Sequence, residues 1–153
     1  GASQQRVEKN MNQALILAAE VGDEKVIRML LDGDGGAQVD WKDEDGSTAL
    51  AFAVFLGHEN ARLTRLALDR GADANARDRW GRTPLLWAAE RREHAVARLL
   101  LEHGADVAIE ARDGTTALHA AAFAGDKTLA RQLLACPRVR RCRIPRSDHL
   151  ALW

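Results

Sequence analysis

Apolar residues recur three and four positions apart in four short segments, VIRMLL (26–31), LTRLAL (63–68), VARLLL (96–101) and LARQLL (129–134). That spacing marks one face of a helix. Each segment follows a stretch of small and apolar residues: QALILAAEVGD (13–23), TALAFAVFLGH (48–58), TPLLWAAERRE (83–93) and TALHAAAFAGD (116–126). The last three share a Thr, a small residue or Pro, a Leu, and then small residues at fixed offsets, and the first is a weaker copy. From Gln13 to Thr48, Thr83 and Thr116 the steps are 35, 35 and 33 residues. A fixed period of this length predicts an array of stacked supersecondary units.

Each unit predicts two short antiparallel helices and a projecting turn. Thr48, Thr83 and Thr116 are placed to cap the first helix, and Pro84 fits its first turn, where a missing N–H leaves nothing unpaired. Gly36, Gly71 and Gly104 follow the second helix at its C-terminal stop, and Gly46, Gly81 and Gly114 fall at the turn tip. One such unit cannot bury its apolar face alone, whereas three or more stacked units can.

These residues resemble the ankyrin-repeat consensus, D-x-x-G-x-T-P-L-H-x-A-A followed by a G-H turn and an L-L-x-x-G-A-D close. The match covers about residues 12 to 135. The resemblance implies an all-α solenoid of stacked helix-turn-helix units with projecting β-hairpin turns, about four units plus a partial fifth. Residues 1–12 are expected to form a tail and N-terminal cap, with Gly1-Ala2-Ser3 an expression remnant. Residues 13–135 hold the repeats. Residues 136–153 form an Arg-rich segment that is either a cap or a truncated fifth unit. Extra residues lengthen the loops in LLDGDGGAQVD and GHENARLTRLAL. The usual hairpin Asp is present as Asp43 and Asp78 but replaced by Ala111. The family's helix His survives only as His119, with Ile16, Ala51 and Leu86 at the equivalent places.

At 46% hydrophobic and 29% charged residues, the composition is that of a globular domain. No segment approaches the roughly 18 to 20 apolar residues of a membrane span, and ALILAA (14–19) is too short for a signal peptide. An intracellular, cytoplasmic or nuclear location is expected. Cys136 and Cys142 are too few for a disulfide scaffold and read as reduced thiols. The formal net charge of zero hides an asymmetry: residues 1–76 carry 8 Lys/Arg against 13 Asp/Glu, and residues 77–153 carry 14 against 9. In an elongated molecule that polarity would orient a charged partner.

Catalytic constellations are scarce. Ser3, Ser47 and Ser147 lie in the tail or in turns, without a nucleophile elbow, and there is no phosphate-binding Gly loop. His58, His94, His103, His119 and His149 are scattered at repeat turns and ends, where polar side chains satisfy backbone groups. Neither enzyme activity, nor a cofactor, nor a metal is expected. The resemblance instead implies a concave groove, lined by turn tips and the exposed flank of the first helices, that binds a protein or peptide, in a domain that is monomeric when isolated. Carried over by repeat phase, the contact positions are Lys42, Glu44, Asp45 and Ser47 on the first tip. On the second tip they are Arg77, Arg79, Trp80 and Arg82, and on the third Glu110, Arg112, Asp113 and Thr115. The helix flanks contribute Glu20 and Val21, Phe55 and Leu56, Glu90 and Arg91, then Phe123 and Ala124. An acidic tip passing to a basic one beside aromatic residues suits an extended peptide with an apolar anchor and acidic residues on its second-tip side.

Among the tryptophans, Trp87 takes the slot of Leu17, Phe52 and Ala120 and is expected to pack between first helices. Trp41 covers the longer loop. Trp80 either contacts a partner or stacks on Arg79 or Arg82. Two alternatives stay open. Trp87 and Glu90, three apart on a helix, together with Trp80 and Phe123, resemble the methyl-lysine pocket of ankyrin domains in certain histone-lysine methyltransferases. Those domains carry tryptophans where this chain has Arg82 and Ala120, and Arg79 and Arg82 would repel a cation. Nucleic-acid contact through Arg138, Arg140, Arg141, Arg143 and Arg146 is the second, without a recognised nucleic-acid module beside it.

Overall fold

A computed structural model describes residues 2–32, 36–55 and 61–135. Among the described residues, eight helices run in pairs: α1 (Ala2–Val21) with α2 (Glu24–Asp32), α3 (Ala49–Phe55) with α4 (Ala61–Asp69), α5 (Pro84–Glu90) with α6 (His94–Glu102), and α7 (Ala117–Ala124) with α8 (Lys127–Ala135). The first helices α1, α3, α5 and α7 form one row, and α2, α4, α6 and α8 form a second row against it. This is the all-α repeat solenoid that the period predicts.

The chemistry of each unit explains its helices. The Thr48, Thr83 and Thr116 hydroxyls accept the N–H of Ala51, Leu86 and His119 at 3.2, 3.4 and 3.3 Å, satisfying one otherwise orphaned donor at each helix start. Ala18, Ala53, Ala88 and Ala121 occupy one recurring slot and all are buried. Their small side chains let the first helices approach closely, while Leu50, Leu85, Leu100, Leu129 and Leu133 fill the space between the rows. Two apolar clusters result. One joins α1 and α2 to one side of α3 and α4, and the larger runs from the other side of α3 through α8.

Two features add detail to this plan. No break falls at residue 12: α1 is 20 residues long and takes in the polar stretch expected to be a tail. Residues 2–12 contain neither Gly nor Pro, and their Gln, Glu, Lys and Met are good helix formers. Asn12 anchors it, buried and accepting the Gln38 N–H at 2.7 Å. The projecting hairpins are turns rather than strands among the described residues. Each is closed by a pair of backbone bonds, such as Asp78 N–H to the Arg82 carbonyl and Gly81 N–H to the Asp78 carbonyl. The expected fifth unit and its arginines, Cys136 and Cys142 lie outside the described residues.

Candidate functional site

The tips stack by main-chain bonds between neighbouring units. The Arg79 N–H donates to the Asp45 carbonyl at 2.9 Å, and the Arg112 N–H to the Trp80 carbonyl at 3.0 Å. Gly81, at φ 73°, permits this approach, because a Cβ there would meet the Arg112 nitrogen at 3.0 Å. Within the first two tips, one aspartate oxygen gathers two N–H groups. Asp43 Oδ1 accepts from Asp45 and Ser47, and Asp78 Oδ1 from Trp80 and Arg82. Ala111 cannot do so in the third. There Asp113 accepts from the Thr115 N–H at 3.0 Å, and its bonds from the Thr115 side chain and backbone hold its carboxyl below the ordinary range.

Several cations expected to face a partner also brace the tips. Lys42 Nζ donates to the Arg77 carbonyl at 3.0 Å, and the Arg77 guanidinium to the carbonyls of Gly81 and Glu110 at 3.2 and 2.7 Å. Arg79 pairs with Asp45 at 3.0 Å, and Arg82 pairs with Glu90. The basic second tip is therefore largely met by the protein's own acceptors.

Three guanidiniums also cover aromatic rings. Arg79 lies 5.2 Å from the Trp80 ring centroid, Arg82 4.5 Å from that of Trp87, and Arg91 4.5 Å from that of Phe55. Phe55 and Trp87 meet edge to face, with centroids 4.9 Å apart. Arg82 is mostly buried, and its Nε has no acceptor among the described residues.

Between tips and first helices lie three clefts in succession. The first, about 590 Å³, is lined by Leu17, Trp41, Lys42, Glu44 and Asp45 among others. The second, about 230 Å³, is walled by Phe52, Phe55, Trp80 and Trp87, with Asp45, Ser47 and Asp78 on its tip side. The third, about 470 Å³, holds Glu90, Thr115, His119 and Phe123. Trp80 is 48% exposed and Phe123 98% exposed, so both present apolar surface to solvent.

The expected contact residues thus separate. Lys42, Glu44 and Asp45 gather at the first cleft, Phe55 and Trp80 at the second, and Glu90 and Phe123 at the third. Arg91 stands over Phe55 at the rim of the second, and Arg112 and Asp113 lie exposed on the third tip. Leu56 lies outside the described residues. Trp87 packs against the larger core cluster and also walls the second cleft. The pocket expected from Trp80, Trp87, Glu90 and Phe123 is not assembled. Its members divide between two clefts, and Glu90 is taken by Arg82, whose guanidinium already lies on the Trp87 ring. Phe52 is the wall residue that spacing alone did not single out, although it shares a slot with Trp87. Among the described residues no group of His, Cys, Asp and Glu converges as a metal site, and no helix is long and apolar enough to cross a membrane.

Comparison with known proteins is consistent with this architecture. A family model for ankyrin repeats in three copies matches residues 2–63 and 59–143. The chain is 38% identical over 88 residues to the Ankyrin repeat and KH domain-containing protein mask-1 of Caenorhabditis elegans, covering 58% of this chain and 3% of that protein. It is 37% identical over 90 residues to the Transient receptor potential cation channel subfamily A member 1 homolog of the same organism, covering 59% and 7%. Against human Ankyrin repeat domain-containing protein 63 it is 40% identical over 76 residues, covering 48% and 20%. The chain thus matches only a small part of each of these relatives.

Proposed function

Because the chain belongs to the ankyrin-repeat family, whose repeats are non-enzymatic modules of protein–protein interaction, we propose that it holds a protein or peptide partner along the three clefts between its tips and first helices. The observation that carries this reading is the second cleft, where four aromatic side chains from two adjacent units wall a space of about 230 Å³ beside half-exposed Trp80. Desolvated pockets lined by aromatics are where a partner's anchoring side chain contributes most to affinity. The tips need little rearrangement to receive it, since Asp43, Asp78 and the inter-tip bonds already fix their backbones. Less conformational freedom is then lost on binding.

The test is side-by-side affinity capture with the wild type and with Trp80→Ala/Phe123→Ala, which removes two exposed rings and leaves the core intact. The expected result is a protein retained by the wild type and lost by a variant that melts at the same temperature. Equal retention by both would reject the clefts as the binding surface.

A further inference from the structure

Resting on the groove reading above, we propose that Arg91 recognises a carboxylate of the partner, next to the apolar side chain that the second cleft receives. A guanidinium held over a ring loses conformational freedom to that contact, while its N–H donors are not consumed by the ring and can still pair with a planar anion. Three arginines in the groove hold their guanidinium carbon over a ring, 4.5 to 5.2 Å from its centroid, but two already hold a carboxylate, Arg79 with Asp45 and Arg82 with Glu90. Arg91 is different. Its guanidinium rests on Phe55, it is exposed, and it pairs with no carboxylate among the described residues. Glu93 feels its charge, yet the Glu93 carboxyl is governed by burial, which raises its pKa, and one of its oxygens is buried without a partner among the described residues.

Position then defines the ligand. Phe55 is both the ring beneath Arg91 and a wall of the second cleft, so the carboxylate and the apolar anchor would lie on either side of one aromatic ring. In an extended peptide, which advances about 3.3 Å per residue, that separation is one or two positions. The opposite wall of the cleft presents Asp45 and Asp78, which disfavour a second carboxylate there. The chemistry is that of a directional step, Asp or Glu beside Leu, Phe or Trp, with the acid on the helix side and not on the tip side.

The experiment uses labelled Gly/Ser peptides, each with one Leu, Phe or Trp anchor and with Glu, Gln or Lys one or two places to either side. Binding is read by fluorescence anisotropy against the wild type, Arg91→Gln, Arg91→Glu and Trp80→Ala. For the wild type, a Glu-flanked anchor is expected to bind about tenfold more tightly than its Lys-flanked counterpart, from one side only. Arg91→Gln should erase that preference and Arg91→Glu reverse it, with melting temperatures unchanged. If anchored peptides bind and depend on Trp80 but ignore flanking charge, or if Arg91→Glu leaves the preference intact, the assignment of Arg91 is wrong and the groove reading stands. If no anchored peptide binds, or if Trp80→Ala binds them all as well as the wild type, both readings fall.

Discussion

The third and fourth units are built on one plan, yet five of the equivalent slots at which they differ set their caps, tip and core apart. In the fourth, both ends of α7 and the start of α8 are capped. Thr116 and His119 cap α7 reciprocally, and Gly125 ends it in a left-handed conformation at φ 67°. Asp126 caps α8 through the Leu129 N–H while receiving His94 at 2.7 Å. In the third unit, Leu86 cannot return the Thr83 cap, and Arg92 takes the left-handed position at φ 57°, where a Cβ is strained. Glu93 makes no side-chain cap to α6. The third unit has what the fourth lacks, a braced tip through Asp78 and a large aromatic at Trp87 in place of Ala111 and Ala120. Departures from local stability therefore gather in the unit that carries the aromatic cleft, as expected where a surface is shaped for recognition.

Making the third unit more like the fourth tests this contrast, and the largest effect is expected at the aromatic slot. Trp87→Ala removes a half-buried ring packed on the core, Phe55 and Arg82, and should lower unfolding free energy by about 2–3 kcal/mol in denaturant titration. An unchanged midpoint would show that Trp87 serves the cleft alone. Asp78→Ala copies Ala111 onto the second tip and strips two N–H groups of their acceptor. A loss of about 1–2 kcal/mol is expected, and a neutral result would mean that the bond between the Arg112 N–H and the Trp80 carbonyl suffices to fix that tip.

The smallest effects concern the residue before each second helix, and there the two units should respond to pH in opposite senses. The Asp126 carboxyl is held below its ordinary value of 3.8 first by its bond from His94 and further by the Leu129 N–H, against the opposing effect of burial. Its contribution to stability is complete above that ordinary value and fades as pH falls through the depressed one. Glu93 is raised above its ordinary 4.5 by burial, with Arg91 opposing. Its protonated form suits the fold, so that contribution is present below 4.5 and disappears as pH rises through the elevated value. Asp126→Asn should thus lower the melting temperature at neutral pH, with the gap to wild type closing in acid. Glu93→Gln should raise it slightly at neutral pH, with that gap also closing in acid. Parallel shifts of one sign in the two variants would show that these slots are not electrostatically distinct.

Much of this contrast was legible in the sequence. The threonine caps, the tip glycines, Ala111 in place of Asp and His119 as the lone surviving helix histidine all follow from repeat phase, because phase fixes backbone position. Side-chain direction does not follow from it. Arg82 reaching Glu90 eight residues on, or Arg91 lying over Phe55 of the preceding unit, depends on how long side chains turn across a unit boundary, and no spacing rule encodes that. The polar residues before Asn12 hid their helix for another reason: without an apolar stripe they carry no periodic signal, although nothing in them breaks a helix.

The division of the apolar interior at α3 and α4 has a kinetic consequence. Leu50 and Val54 belong to the cluster that continues to α8, whereas Ala49 and Ala53 belong to the one that holds α1 and α2. Leu63 and Leu66 of α4 likewise fall in one cluster and Ala67 and Leu68 in the other, so the pair α3 and α4 carries the seam between the two blocks. Amide protons of α1 and α2 are set to exchange through a partial opening at that seam, while those of α5 and α6 wait for global unfolding. The first cleft then sits on the block that opens more often, and the aromatic cleft on the boundary of the one that stays closed.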